Sequence, residues 1–219
     1  MIDLHTHTIF SDGDLIPAEL ARRAVVKGIK TLALTDHADS SNMDFIVPRL
    51  QAAAAEISTW WEMKVIPGVE LTHIAPEAFA KMVQRARELG ARIVVAHGET
   101  MVEPVAPGTN RAAILAGVDI LAHPGLISIQ DAKLACEKGV CLEITARSGH
   151  SLSNGHVARF AEKTGAKLVF NTDTHDPDNL RSMPEAKKIV LGAGLSEAAF
   201  KKMLQNSRAL AEKAVSSRQ

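Results

Sequence analysis

Short apolar stretches alternate along the chain with longer stretches in which apolar residues recur at helical spacing. The short stretches have the length and side-chain pattern of buried strands: Met1 to Leu4, Thr31 to Thr35, Val65 to Glu70, Arg92 to Ala96, Asp119 to Ala122, Val140 to Ile144 and Lys167 to Asn171. The longer stretches predict intervening helices, including Pro17 to Lys27, Phe45 to Ser58, Pro76 to Leu89, Ile127 to Lys138 and Asn154 to Lys163. Strand and helix therefore alternate along the chain.

Glycine stands at four of the predicted helix-to-strand junctions, as Gly28, Gly90, Gly139 and Gly165. A glycine in the left-handed conformation commonly ends a helix, so the four junctions indicate one repeated connection. This repetition predicts an α/β fold of parallel strands joined by right-handed crossovers, with a sheet that is either open and doubly wound or closed into a barrel. No linker rich in Pro, Gly or Ser divides the chain, and we expect residues 1–219 to form a single domain.

The composition excludes several classes of protein. Of the 219 residues, 46% are hydrophobic and 23% charged, which suits one core of ordinary size. Lys plus Arg number 25, as do Asp plus Glu, so no overall field recruits extended nucleic acid or an anionic membrane. The sequence shows no signal-peptide pattern and no membrane-length apolar stretch, and we expect a cytoplasmic protein.

Residues able to bind metal ions concentrate at the carboxyl ends of the predicted strands. In strand order they are His5 and His7, Asp36 and His37, Glu70, His97, His123, Glu143, and Asp173 with His175. The carboxyl ends of parallel strands meet on one face of a barrel, which is the face where active sites form. We therefore expect these side chains to converge on one site.

The mixture of ligand types indicates which metals the site binds. Alternate residues of a strand share a face, so His5 and His7 point the same way, as do Asp173 and His175. Imidazole nitrogen combined with carboxylate oxygen suits zinc, manganese or iron. Six histidines with several carboxylates exceed what one tetrahedral ion can use. We expect two to three divalent ions, with Glu70 as a bridging carboxylate.

The successive motifs of the chain resemble those of the PHP (polymerase and histidinol phosphatase) family. They are Asp3-Leu4-His5-Thr6-His7-Thr8, Ser11-Asp12-Gly13, Leu34-Thr35-Asp36-His37, Gly68-Val69-Glu70, Ala96-His97, Ala122-His123-Pro124 and Thr172-Asp173-Thr174-His175. The motifs occur in the family's order between residue 3 and about residue 175. The resemblance implies a distorted (β/α)7 barrel, similar to a TIM barrel, with a trinuclear metal centre at its carboxyl-terminal face.

The resemblance also assigns ligands to each ion. It implies that His5, His7, Glu70 and Asp173 hold one ion, that Glu70, His97 and His123 hold a second, and that Asp12, His37 and His175 hold a third. Some family members have histidine where Asp12 stands, which leaves the identity and occupancy of the third ion open. Asp36 would then lie behind the ligands and orient an imidazole.

A cluster of divalent ions is suited to phosphate ester hydrolysis. Two close ions share a hydroxide nucleophile, neutralise phosphate oxygens and stabilise the leaving alkoxide. Glu70, as the bridge, would hold that hydroxide in place. The leaving group also needs a proton, and Asp36, a displaced ligand histidine such as His37, or a metal-bound water can provide it. The sequence leaves this choice open.

The loop after the sixth strand is the first candidate for substrate binding, because it opens onto the metal face. Arg147 can form two hydrogen bonds to a phosphate, while Ser148 and His150 offer a hydroxyl and an imidazole. The alternative is a solvated loop that caps the next helix. Arg111, which follows the long loop of residues 98–108, is a second cationic candidate.

These observations favour a metal-dependent phosphatase that hydrolyses a small phosphomonoester, with histidinol phosphate as the leading candidate. One alternative is a phosphodiesterase or exonuclease acting on nucleotides or short oligonucleotide ends. Another is a catalytically inactive PHP-like binding subunit, as in ribonuclease P, although all nine ligand positions hold residues able to bind metal. We expect a small phosphorylated substrate and no membrane partner, and the oligomeric state is left open.

Overall fold

The computed structural model describes residues 1–216 as a layer of helices around a parallel sheet. The strands are β1 (Ile2–Asp3), β2 (Thr31–Leu34), β3 (His37–Ala38), β4 (Lys64–Leu71), β5 (Ile93–His97), β6 (Ile120–Ala122), β7 (Cys141–Thr145) and β8 (Leu168–Asn171). The helices are α1 (Pro17–Val26), α2 (Met43–Trp60), α3 (Phe79–Glu88), α4 (Thr109–Ala116), α5 (Ile129–Lys138), α6 (Asn154–Thr164), α7 (Met183–Gly192) and α8 (Glu197–Ser216). Short 3₁₀ turns span Pro76–Ala78, His150–Ser153 and Pro177–Asn179.

The sheet is a nearly closed barrel rather than an open sheet. Its strand order is β1-β2-β4-β5-β6-β7-β8, every pair is parallel, and β3 continues β2 because both pair with β4. Beyond β1 and β8, a parallel bridge joins Thr6 to Thr174, with the His7 amide donating to the Thr174 carbonyl at 2.8 Å. The seven-stranded distorted barrel predicted from the sequence is confirmed.

Buried polar side chains complete the junction between β1 and β8. The Thr172 hydroxyl donates to Asp3 at 2.5 Å and the Thr172 amide donates to the same carboxylate at 3.2 Å. The Leu4 amide donates to Asn171 Oδ1 at 2.9 Å. Burial raises the pKa of Asp3 to about 6, against the lowering effect of the Thr172 hydrogen bonds. These bonds satisfy backbone groups that a short two-residue strand leaves unpaired.

On each strand, side chains an even number of positions apart face the barrel interior, so the same strand supplies both core residues and residues of the carboxyl-terminal face. Ile66 lies in the interior cluster, and Glu70 follows it by an even number of positions on β4. Three other pairs have the same relationship: Ile93 with His97, Cys141 with Glu143, and Val169 with Asp173. The core and the polar site are therefore consecutive layers of one barrel.

Helices cover the outside of the barrel and one of its ends. The outer faces of the strands contribute Leu142 and Ile144 to the core shared with the helices. Ala211 and Ala214 of α8 belong to the interior cluster, so this helix closes the amino-terminal end of the barrel. Helices α4, α7 and α8 add to those named from the spacing of apolar residues. Among the described residues, no helix combines the length and apolar character needed to cross a membrane.

The four junction glycines have the left-handed conformation predicted for them. Their φ angles are 80° at Gly28, 102° at Gly90, 73° at Gly139 and 77° at Gly165. Glycine adopts these angles without the clash that a Cβ atom creates. Each helix can therefore end and turn directly into the next strand, which repeats the same connection around the barrel.

Candidate metal centre

Glu70 lies at the centre of a group of imidazoles and is itself buried. Its Oε1 is 3.3 Å from His5 Nε2 and 3.5 Å from His123 Nε2. Its Oε2 is 2.7 Å from His37 Nδ1 and 3.7 Å from His7 Nε2. The two oxygens thus face different imidazoles, which is the placement that a carboxylate shared between two ions requires.

Asp173 supplies the second buried carboxylate of the cluster. Its Oδ1 lies 3.3 Å from His7 Nε2 and 3.7 Å from His5 Nε2, and its Oδ2 lies 3.6 Å from His123 Nε2. The structure therefore brings together His5, His7, Glu70 and Asp173, the residues that the resemblance assigned to one ion. His5 and His7 follow β1 and Asp173 follows β8, so the β1–β8 junction brings these three side chains together.

Asp12 gathers a second group of histidines at the edge of the same face. Its Oδ1 is 3.3 Å from His175 Nε2, 3.5 Å from His37 Nε2 and 3.9 Å from His7 Nδ1. The Asp12 side chain is 56% exposed, whereas Glu70 and Asp173 are buried. The structure thus places Asp12, His37 and His175 together, with the Asp12 carboxylate open to solvent.

His97 and His123 lie side by side, but their outward contacts differ. Their ring centroids are 4.5 Å apart. His123 approaches Glu70, whereas His97 directs its Nε2 at Glu103 Oε2, at 2.9 Å. Glu103 belongs to no motif in the sequence, and the only signal for it is the long loop that carries it, whose length is typical of functional loops.

Asp36 has a different set of partners from the one expected. Its carboxylate accepts hydrogen bonds from the Thr8 amide at 2.8 Å, the Thr8 hydroxyl at 2.9 Å, the Ser11 amide at 3.1 Å and the Ser11 hydroxyl at 2.9 Å. These bonds hold the turn that presents Asp12. The expectation that Asp36 orients an imidazole is therefore corrected, because its contacts position a loop.

Glu143 performs the orienting role that was expected of Asp36. Its Oε1 lies 2.9 Å from His5 Nδ1 and accepts a hydrogen bond from Asn171 Nδ2 at 2.8 Å. Its Oε2 accepts the His123 amide at 3.2 Å. With His5 Nδ1 engaged, Nε2 is the nitrogen that faces Glu70, an arrangement typical of metal-ligating histidines. The sequence identified Glu143 by its position at a strand end, but only the fold shows that its partner is His5.

Several buried polar atoms of the cluster have no hydrogen-bond partner within the described protein. They are His5 Nε2, His7 Nδ1, His7 Nε2, Glu70 Oε1 and His123 Nδ1. A single unsatisfied buried polar atom costs roughly 1–3 kcal/mol, so a convergent group of them indicates a ligand. Nitrogen and carboxylate oxygen atoms that converge in groups of three or four match the donors of zinc, manganese or iron. The side chains present therefore fit divalent metal ions.

The charges of the cluster also favour cations. Burial raises the pKa of Glu70, but the neighbouring His5 and His37 outweigh it and hold that pKa well below the usual range. Burial likewise opposes the ionisation of Asp173, and His5 and His7 overcome it and lower its pKa. Burial lowers the pKa of His7 to about 3 and of His97 to about 4. Anionic carboxylates and neutral imidazoles are the protonation states that bind metal. The same carboxylates raise the pKa of His5, His37 and His123, so a bound ion would displace the protons of these three rings.

Two of the buried cluster residues have a backbone conformation that is uncommon outside glycine. His123 has φ 28° and Asp173 has φ 53°. Left-handed backbone is costly for residues with a Cβ atom and concentrates at functional sites, where the surrounding structure maintains it. In both cases the residue lies just beyond its strand, where the turn aims its side chain into the cluster.

The four expected substrate residues have different surroundings. Arg147 lies at the cluster, with Nε 4.0 Å from Asp173 Oδ2 and Nη1 donating to Asn179 Oδ1 at 3.2 Å. Ser148 is exposed on the same loop. Arg111 is exposed and donates to Asp131 Oδ1 of α5 at 2.9 Å, and its assignment to the substrate site stays a prediction.

His150 is buried beside His97 and His123, whereas the sequence suggested a substrate contact. Its ring stacks on that of His123 with centroids 4.2 Å apart. Its Nδ1 lies 2.6 Å from the Thr100 hydroxyl, and its Nε2 lies 3.4 Å from Glu103 Oε1. Burial lowers its pKa to about 4, with the nearby His123 acting in the same direction.

The comparisons with known proteins point to one family. Residues 3–103 match the PHP domain. The chain is 51% identical over 196 residues to the uncharacterized protein MJ1295 of Methanocaldococcus jannaschii, covering 89% of this chain and 90% of that protein. It is 30% identical over 222 residues to the probable phosphatase Shewmr4_2619 of Shewanella sp., covering 86% and 82%. It is also 30% identical over 164 residues to the 5'-3' exoribonuclease Rnm of Salmonella typhimurium, covering 74% of this chain and 48% of that protein.

Solved structures show the same fold at low sequence identity. A chain in archaeal ribonuclease P with mature tRNA superposes with a TM-score of 0.74 at 18% identity, covering 99% of this chain and 93% of that chain. Histidinol phosphate phosphatase from Lactococcus lactis, complexed with zinc, L-histidinol and phosphate, gives a TM-score of 0.61 at 17% identity, covering 89% and 94%. At these identities the likeness concerns the barrel alone.

Proposed function

Because this chain belongs to the PHP domain family and is a metal-dependent phosphoesterase, we propose that it hydrolyses a small phosphomonoester of the kind taken by a histidinol phosphatase. We also propose that two to three divalent ions, zinc, manganese or iron, occupy the centre. The ligands implied by the resemblance are His5, His7, Asp12, His37, Glu70, His97, His123, Asp173 and His175.

The placement of Arg147 carries the substrate proposal. Its guanidinium is partly exposed beside Asp173, and Asn179 holds one of its nitrogens. Asn179 Oδ1 also accepts the amide of His175, so the arginine is anchored to a ligand-bearing segment. A guanidinium fixed at this distance can bind one terminal phosphate by two hydrogen bonds. Glu103 adds negative charge on another side of the cluster, which disfavours a polyanionic strand.

Divalent ions at this centre supply an activated water and neutralise charge on the phosphate oxygens. The protein's own residues bind and orient the participants: Arg147 holds the phosphate, and Glu143 fixes the ring of His5. For the leaving-group proton we propose His37 when it is displaced from its ion, because its side chain is 25% exposed at the edge of the cluster. Asp36 is buried and its oxygens accept bonds from Thr8 and Ser11, which leaves it a positioning role.

The second candidate function is phosphodiester hydrolysis at nucleotide or short oligonucleotide ends. The similarity to an exoribonuclease over 74% of this chain favours it. The same type of centre serves both reactions, so the distinction rests on what surrounds the ligands. A diester at an oligonucleotide end would need room and cationic side chains for the phosphates on either side of the one cleaved.

A substrate panel tests the proposal. Metal-free protein reconstituted with Mn²⁺ or Zn²⁺ would be assayed on histidinol phosphate and other small monoesters, on cyclic and linear dinucleotides, and on short RNA. We expect kcat/KM for at least one monoester to exceed that for every diester by tenfold or more. Turnover confined to diesters would establish the rival function. Glu70→Gln protein purified in parallel controls for contaminating phosphatases.

A further inference from the structure

We propose that His150 and Glu103 are further ligands of the ion held at His97 and His123, which together with Glu70 makes this position a site of three imidazoles and two carboxylates. The inference goes beyond the ligands implied by the family resemblance, which include neither residue. It rests on the proposed metal centre but not on the choice of substrate. Its test is therefore made on metal binding.

The three imidazoles form a compact donor group. One ring nitrogen each from His97, His123 and His150 lie within 4.8 Å of one another, and all three residues are buried. The His150 ring stacks on His123 at 4.2 Å, and the His97 ring meets His123 at 4.5 Å. Three histidines are a common ligand set for zinc, which also binds carboxylate oxygen and can expand to five ligands.

Glu103 provides a carboxylate donor in addition to Glu70. Its Oε2 is 2.9 Å from His97 Nε2 and its Oε1 is 3.4 Å from His150 Nε2, so its two oxygens face two of the three imidazoles. The side chain is 37% exposed and comes from the long loop between β5 and α4. Glu103 would therefore bind the ion from the solvent side, opposite the side chains at the ends of the barrel strands.

The remaining ring nitrogens are arranged as in ligating histidines. His150 Nδ1 contacts the Thr100 hydroxyl at 2.6 Å, and His97 Nδ1 lies 3.2 Å from the Gly98 carbonyl. In both rings this leaves Nε2 directed at Glu103. His123 Nδ1 is buried with no hydrogen-bond partner in the described protein, which is independent evidence that a ligand belongs here. Protein oxygens that bind the distal nitrogen of a ligand histidine fix its orientation.

The loop that carries Glu103 is anchored at both ends. Glu99 Oε1 accepts the amides of Gly108 at 3.1 Å and of Asn110 at 2.9 Å, while Asn110 Oδ1 accepts the Glu99 amide at 2.9 Å. The Thr100 contact with His150 also joins this loop to the one after β7. A ligand on so constrained a loop loses little conformational freedom when it binds an ion.

His73 provides a matched control from the same neighbourhood. Its Nε2 is 3.8 Å from Glu103 Oε2 and its ring lies 5.4 Å from that of His97, but its side chain is 48% exposed. It is not a member of the buried donor group. Replacing it therefore changes the local histidine content without removing a proposed ligand.

The experiment is a titration of metal-free protein with Co²⁺ and Zn²⁺. Visible absorption would report the Co²⁺ ligand geometry, and competition with a chromophoric chelator would give stoichiometry and affinity. We expect His150→Gln and Glu103→Gln each to lower the affinity for one of the bound ions by at least about tenfold. Each variant should also change the Co²⁺ absorption spectrum. His73→Gln should match the wild-type protein in both measurements.

Wild-type stoichiometry, affinities and spectrum in both His150→Gln and Glu103→Gln would overturn the proposal and leave these residues to substrate binding. Circular dichroism establishes that each variant is folded. If the buried substitution at His150 prevents folding, Glu103→Gln on the loop decides the question. No substrate is present in this titration, so its result does not depend on whether the phosphomonoester assignment is correct. Likewise, a failure to find these two ligands would not contradict the proposed substrate.

Discussion

Glu143 Oε1 lies 2.9 Å from His5 Nδ1, and both side chains are completely buried. This contact fixes which nitrogen of His5 faces the cluster. The same carboxylate accepts bonds from Asn171 and from the His123 amide, so it connects three strands beneath the ligands. Glu143 therefore supports the metal centre from below.

Glu143→Gln should weaken metal binding without abolishing it. The amide retains the shape of the carboxylate but loses the charge that holds the His5 ring, and losses of about 10–100-fold in metal affinity are typical for such supporting residues. Chelator competition on the purified variant measures the effect. An affinity equal to that of the wild-type protein would show that the contact with His5 is dispensable.

Glu70→Gln should have a larger effect, because Glu70 faces His5, His7, His37 and His123. The substitution preserves shape but removes a buried negative charge from a site for cations. We expect the loss of at least one bound ion and a fall in kcat of several orders of magnitude, with the barrel still folded. Elemental analysis and steady-state kinetics check both results. Near-normal metal content and kcat would show that Glu70 is not the bridge, and Asp173 would then be the candidate for that role.

Removal of metal should lower thermal stability. Ions that bind only the folded state contribute about 2.7 kcal/mol at 100 times their dissociation constant, which for a chain of this size corresponds to a Tm shift of roughly 5 to 10 °C. Melting curves with and without chelator measure it, and restored Zn²⁺ should reverse it. An unchanged Tm in the chelated protein would argue against ions at the buried donors.

Arg147→Ala should raise KM for the true substrate while leaving metal content intact, because the guanidinium adjoins the ligands without belonging to them. Arg111→Ala is the matched control, since that arginine pairs with Asp131 on α5. Steady-state kinetics of both variants, with metal analysis, provide the comparison. Kinetics of Arg147→Ala equal to those of the wild-type protein would remove Arg147 from the substrate site.

The two cysteines should differ in reactivity. Burial raises the pKa of Cys141 to about 11, whereas Cys136 is exposed on α5. Because the thiolate is the reactive form, Cys141 at pH 8 is ionised in only about one molecule in a thousand. A thiol reagent should therefore modify one cysteine in the native protein and two after denaturation, and Cys136→Ser should abolish the native reaction. Rapid modification of Cys141 in that variant would contradict its burial.

Local sequence pattern was sufficient to locate the strands and the polar residues at their ends. The interval of two residues that separates His5 from His7 also separates inward-facing neighbours on every strand. The helix-ending glycines indicated the repeated connection, so the barrel followed as one of two architectures. The interaction that excludes the open sheet is the bridge from Thr6 to Thr174, which depends on contacts across almost the whole chain.

The sequence by itself determined which chemical groups this protein carries and, through strand periodicity, which end of the barrel they occupy. The tertiary structure decided which groups meet. The partner of Glu143 is 138 residues away, and that of the His150 ring nitrogen is 50 residues away on another loop. Asp36 was expected to orient an imidazole and instead holds a turn through Thr8 and Ser11, for the same reason. Side-chain pairing depends on how loops close in space, and residue spacing along one strand or helix carries no information about that closure.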